Sequence, residues 1–117
     1  MVKIDMSKKY SKMWFEVHKI ISRAQKEIYE IVEDMCRMLK EDIGEELDEL
    51  SRRYGFTYVI KPREGNGDIM KCVPCVYIRA SKQVVEEVRK AVTSKFTSIV
   101  SESRVVFEQK PIEIPIQ

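Results

Sequence analysis

The residues best suited to chemistry in this chain are two cysteines separated by two residues, in the run Cys72-Val-Pro-Cys75. This spacing lets two thiolates bind one metal ion, but a structural zinc site needs four ligands. The other two would have to come from a second copy of the chain, or from Cys36 and His18. We therefore expect no metal centre, and Cys72 and Cys75 are only its weak candidates. Small buried residues beside a strand bulge are the preferred interpretation.

The same motif resembles the active-site motif of thioredoxin-like oxidoreductases. That resemblance implies a first cysteine at the start of a helix, where the helix dipole lowers the thiol pKa. The residues that follow here, Val76-Tyr77-Ile78-Arg79, predict a continuing strand. We therefore do not expect a redox enzyme.

Other enzyme classes are also disfavoured by residue spacing. Asp68 before a predicted strand invites comparison with metal-dependent nucleases, which need a carboxylate and a lysine on the next strand. This chain has Tyr77-Ile78-Arg79 there instead. The single histidine, His18, lies on a predicted helix with no nucleophile that sequence can place beside it. We expect no catalytic residues and no cofactor, with a metal-dependent nuclease-like enzyme as the least favoured alternative.

Nucleic-acid binding has broader support, because basic and aromatic residues alternate around one predicted hairpin and continue on the next helix. Lysine and arginine can bind phosphates, while exposed aromatic rings can stack on bases. The acidic segment 27–50, with ten acidic and two basic residues, would oppose this binding. The predicted nucleic-acid-binding residues are Tyr58, Lys61, Arg63, Lys71, Tyr77, Arg79, Arg89 and Lys90.

The element that must position these residues begins with a long apolar stripe. Apolar-type residues recur at alternating steps of four and three from Tyr10 to Met38, which predicts one face of a helix. A continuous helix over 7–54 would be about 70 Å long. Its stripe is longer than a sheet of short strands can cover, so we expect a helical partner. The predicted dimer interface is Trp14, Val17, Ile21, Ala24, Ile28, Ile31 and Met35.

The charges along this helix favour an antiparallel homodimer. Residues 1–26 carry seven basic and two acidic residues, whereas 27–50 are strongly acidic, so parallel chains would repel each other. Two alternatives stay open: a helical hairpin broken near Gly44, and pairing with a different protein. Gly44 is the weakest helix former inside the segment.

The remaining elements predict an α+β domain over 1–117. Strands are expected over 1–6, 56–61, 69–80 and 104–107, and a second helix over 81–96 with Ser81 as its N-cap. Gly55 is expected to end the long helix. This order, a ββαβ unit at 55–110 after the long helix and an extended tail at 111–117, matches a ferredoxin-like βαββαβ sandwich, or αββαβ without the first strand.

Composition sets the broad class. The chain has a net charge of +2 and no apolar run long enough for a membrane span or signal peptide, so we expect a cytoplasmic protein. One asparagine and many lysines and glutamates are typical of a thermophile. We expect a small, non-catalytic, dimeric nucleic-acid-binding protein that contacts DNA or RNA. The alternative is a protein-interaction module that uses the long helix and the tail.

Overall fold

A computed structural model describes residues 6–21, 23–65 and 71–110, and within these the chain is mostly helical. Two helices come first, a hairpin of two strands follows, and two more helices lead to a last strand. The elements are α1 (Met6–Ile20), α2 (Gln25–Tyr54), β1 (Thr57–Pro62), β2 (Pro74–Arg79), α3 (Lys82–Lys95), α4 (Thr97–Ser103) and β3 (Val106–Gln109).

The prediction of one continuous helix over 7–54 is wrong. The helix ends at Ile20, where the N–H of Arg23 donates to the Ile20 carbonyl at 2.6 Å in a turn, and Ala24 is fully extended. The break lies some twenty residues before Gly44, which is buried inside α2. Because of this break, α1 folds back on α2, and the Tyr10 hydroxyl donates to Asp42 at 2.5 Å.

The stripe that predicted an intermolecular pair is covered within the chain. Trp14 and Val17 on α1 are buried in the same core as Ile28 and Met35 on α2. The other three predicted interface residues, Ile21, Ala24 and Ile31, are half-buried. Folding back removes this apolar surface from water without a second chain, which is the physical reason for the hairpin.

The ferredoxin-like fold class is also wrong. The described sheet has three strands in the order β1-β2-β3, with β1 antiparallel to β2 and β3 parallel to β2. In a βαββαβ sandwich the first strand would lie inside the sheet, whereas here helices precede all described strands. The predicted first strand lies mostly outside the described residues, and Met6 already belongs to α1.

The helices pack on one face of the sheet. Alternate strand residues, among them Ile60, Val76 and Ile78, join the core formed by α2 and α3. Val59, Cys75 and Tyr77, which alternate with them, lie on the opposite face. That second face is called the open face below.

Local signals for element boundaries are confirmed at two positions. The Ser81 hydroxyl accepts from the Val84 N–H at 3.3 Å and caps α3, and Gly55 ends α2 in the left-handed conformation. Pro74 is the first residue of β2, where no ladder donor is needed. Helix α4 was not predicted, and it begins after a non-helical residue, Phe96.

Candidate functional site

The basic residues of the predicted hairpin are used within the chain. After β1 the segment 63–65 crosses the open face, where the Glu64 N–H donates to the Tyr77 hydroxyl at 2.6 Å. Arg63 Nε lies 2.6 Å from Glu108 Oε1, and Lys61 pairs with Glu64. This ammonium group also holds the pKa of the Glu64 carboxyl below its usual value. Lys61 and Arg63 are therefore balanced by carboxylates of the same chain.

Neither predicted aromatic residue presents a free ring for stacking. Tyr58 faces the helices, where its hydroxyl donates to Asp48 at 2.6 Å, and burial raises its pKa above the usual value. Tyr77 is only 7% exposed, with the Lys61 ammonium 5.1 Å from its ring centroid. Burial raises the pKa of Tyr77 to about 12, so the hydroxyl stays protonated at neutral pH.

The predicted basic residues of α3 divide into two groups. Arg89 is bound by Glu86, with Nε 3.0 Å from Oε2, while Lys90 is exposed. Lys71 is exposed beside a segment outside the described residues. Arg79 is exposed at the last position of β2, and Lys82 is exposed at the first position of α3.

Arg79 and Lys82 lie at one end of the sheet together with Lys110, which sequence reasoning did not select. The Lys110 N–H donates to the Ile78 carbonyl at 2.8 Å, which places Lys110 beside Arg79 in the parallel register. The side chain of Gln109 also donates to the Ala80 carbonyl at 2.7 Å and holds this corner together. Arg79, Lys82 and Lys110 are called the basic end below. No ion pair involves them within 6–21, 23–65 and 71–110.

The three cysteines approach one another, but not as a metal centre. Cys36 on α2 lies beside the backbone of Cys75, and the nearby Cys72 thiol contributes to raising the Cys36 pKa. Burial raises the pKa values of Cys36 and Cys75 to about 12 and also raises that of Cys72, so the thiols stay protonated at neutral pH. Across the described segments no three His, Cys, Asp or Glu side chains are arranged to hold a metal ion.

His18 lies apart from the cysteines, on a cavity of about 430 Å³ between α1 and α4. Its Nδ1 is 2.8 Å from the Trp14 carbonyl oxygen, so Nδ1–H donates to that oxygen and Nε2 takes no part in this hydrogen bond. The cavity is also lined by Phe15, Glu102 and Arg104. Sequence reasoning missed it because α4 was not predicted, and the one available signal was a lone histidine on the same helix as the lone tryptophan.

A second groove, of about 490 Å³, lies between α2 and β1. Acidic residues such as Glu30 and Asp34 and basic residues such as Arg37 and Lys61 line it together. Arg37 pairs with Asp34 and Lys61 with Glu64, so these charges are balanced locally. The groove therefore shows no preference for a ligand of either charge.

Neither the described helices nor the comparisons with known proteins assign the chain to a class. In the part of the chain that the structure describes, every helix is too short or too polar to cross a bilayer. No protein-family model, no curated protein and no solved structure matches this chain.

Proposed function

We propose that the protein binds nucleic acid through the phosphate backbone and does so without catalysis. The observation that carries the proposal is the basic end, where Arg79, Lys82 and Lys110 meet at the carboxyl ends of β2 and β3. Arg79 and Lys82 form no ion pair within the described chain, unlike Lys61, Arg63 and Arg89, whereas Lys110 lies close enough to Glu64 to help lower the pKa of that carboxyl. Phosphate contacts from such residues give affinity that does not depend on sequence.

The start of α3 adds to this preference for phosphate. The first N–H groups of a helix lack intrahelical acceptors, and the helix dipole favours an anion there. Ser81 caps the N–H of Val84, which leaves the N–H groups of Lys82 and Gln83 without an intrahelical acceptor at the start of α3. The proposal therefore moves the contact surface from the hairpin to the end of the sheet. It also leaves out base stacking, because Tyr58 and Tyr77 are hydrogen-bonded and largely covered.

The alternative, a protein-interaction module using the long helix and the tail, stays a prediction. The stripe on the helix is buried inside the chain, and the tail lies outside the described residues. Binding to DNA or RNA is therefore the function tested first.

The test is fluorescence anisotropy with single-stranded and duplex DNA and RNA at several salt concentrations. We expect affinity to fall as salt rises, because bound cations release counterions from the phosphates. Arg79→Ala plus Lys82→Ala should weaken binding on all sequences and reduce the salt slope by about two.

The matched control is Arg37→Ala plus Lys40→Ala, which removes the same charge from an exposed part of α2. It should bind almost as the unmodified protein does. Equal weakening in the two double variants would show a net-charge effect and overturn the proposed surface. No binding to any of the four nucleic acids at low salt would overturn the function itself.

A further inference from the structure

The cavity between α1 and α4 combines polar and apolar walls in a way that the nucleic-acid proposal does not use. Trp14 and Phe15 supply aromatic surface, and Phe15 is 62% exposed. Glu102 in α4 and Arg104 directly after it supply one negative and one positive charge. A volume of about 430 Å³ lies in the range typical of small-molecule sites.

The indole Nε1 of Trp14 is an unusual polar atom beside the cavity between α1 and α4. The residue is 93% buried, because its exposed fraction is 7%, yet its indole Nε1–H has no hydrogen-bond partner within the described segments. Buried indole N–H groups normally find an acceptor, since a donor removed from water without one is unfavourable. The indole nitrogen itself has no exposed surface, so this donor lies behind the wall of the cavity, and Arg104 and Glu102 are the charged groups that a ligand reaches.

Arg104 is the second unusual residue. It is the one non-glycine residue with a positive φ, 55°, in the described chain, at a helix end where glycine or asparagine is favoured. Its guanidinium lies 5.0 Å from the centroid of the Trp14 ring. Arg104 thus keeps an unfavourable backbone conformation and places its guanidinium over Trp14. This combination indicates a role for the arginine side chain. Guanidinium groups bind carboxylates through two parallel hydrogen bonds.

Glu102 offers the complementary charge. Its Oε2 accepts a hydrogen bond from the Ser11 hydroxyl, which fixes the carboxylate between the two helices. Its Oε1 accepts no hydrogen bond from any described residue. A ligand ammonium group would satisfy that oxygen.

We infer that this cavity binds a small zwitterion with an apolar body, of the class of free apolar amino acids. The ligand carboxylate binds Arg104, the ammonium group binds Glu102, and the apolar body lies against Phe15. This inference does not depend on nucleic-acid binding, because no cavity residue belongs to the basic end.

The experiment uses Trp14 itself, which is the only tryptophan of the chain and so reports on this cavity alone. The intact protein is titrated with L-phenylalanine and L-leucine while the intrinsic tryptophan fluorescence is followed, and calorimetry checks the affinity. Two matched probes, phenylacetate and phenethylamine, lack the ammonium group and the carboxylate respectively. We expect saturable binding of the amino acids, and binding of either probe weaker by about tenfold or more. No saturable change with either amino acid, or equal affinity for all probes, would overturn the inference.

Arg104→Gly separates binding from folding. Glycine adopts this backbone conformation without strain, so the denaturation midpoint should stay the same or rise while amino-acid binding falls by about tenfold or more. Arg104→Asn, which also tolerates the left-handed conformation, serves as a second variant. Retained affinity in both variants would contradict the assigned role of the guanidinium.

Discussion

At the scale of single residues, Tyr10 joins the two N-terminal helices. It is fully buried, and its hydroxyl donates to Asp42 at 2.5 Å, while Lys9 Nζ lies 3.1 Å from the same carboxylate oxygen. Burial and the neighbouring carboxylate raise the pKa of Tyr10 above its usual range, so the hydroxyl remains a donor. The contact connects residues 32 positions apart.

Tyr10→Phe should lower the free energy of unfolding by about 1–3 kcal/mol, because Asp42 loses a partner while the ring still fills its place. Urea denaturation measures the change. Tyr29→Phe is the matched control, since Tyr29 is 48% exposed and its loss of a hydroxyl should change stability very little. Equal effects of the two substitutions would show that the Tyr10 hydroxyl does not stabilise the helical hairpin.

Residue types alone indicated some of the residues that lie together in the structure and missed others. The spacing of Cys72 and Cys75 drew attention to a region where Cys36 also lies, whereas His18, which was considered with Cys36 as a further metal ligand, lies elsewhere. The Arg63–Glu108 pair could not be predicted, because it depends on a segment that crosses the open face between strands distant in sequence. The cavity residues Trp14 and Arg104 lie 90 positions apart and meet only after α1 folds back.

At the scale of elements, Gly44 inside α2 and Gly55, which caps its end, give opposite predictions. A Cβ at Gly44 would lie 3.5 Å from the nearest heavy atom, Lys40 Cγ, which is ordinary contact. Gly44→Ala should therefore raise the free energy of unfolding by up to about 1 kcal/mol, because alanine is the better helix former. Gly55→Ala should lower it by about 1 kcal/mol, because Gly55 has a φ of 71° that alanine adopts poorly.

Thermal denaturation of the two variants beside the unmodified protein measures both changes. Each substitution adds the same methyl group, so the pair controls for side-chain size. If Gly55→Ala proved as stable as the unmodified protein, the left-handed end of α2 would be contradicted.

Elements with local signals were predictable, and those set by distant contacts were not. Ser81 and Gly55 act through hydrogen bonds to residues a few positions away, and sequence located both. The end of α1 has no glycine or proline to mark it. There the chain breaks because Tyr10 and Trp14 gain burial against α2 and α4, which no local pattern shows.

At the scale of the whole molecule, the intramolecular hairpin changes what an assembly would need. Most of the apolar stripe is already buried within one chain, so a dimer through that stripe would have to unpack α1. The alternation of strand residues predicted that the helices pack on one face of the sheet, but it did not predict the order of the strands. The parallel pairing of β2 and β3 depends on the crossover through α3 and α4, and α4 was not predicted.

The pH dependence of stability is the last whole-molecule prediction. Cys36 and Cys75 are buried, and burial raises their pKa values from an ordinary 9.0 to about 12. Between these values the unfolded chain has lost protons that the folded chain retains, so unfolding releases protons and rising pH favours it. Each pKa unit corresponds to about 1.4 kcal/mol per group. The free energy of unfolding should therefore be insensitive to these thiols at neutral pH and should fall steeply from pH 9 to 12.

Denaturant titrations at a series of pH values, with a reductant present, measure this decline. Tyr77, whose pKa rises from 10.0 to about 12, contributes the same sign of effect but begins at higher pH. In a Cys36→Ala plus Cys72→Ala plus Cys75→Ala variant, which removes all three thiols whose pKa burial raises, the decline should therefore begin near pH 10, where tyrosine first ionises in the unfolded chain. The comparison uses the onset of the decline, which does not depend on how much the substitutions destabilise the core at neutral pH. An unchanged onset in the variant would show that the buried thiols do not govern alkaline unfolding.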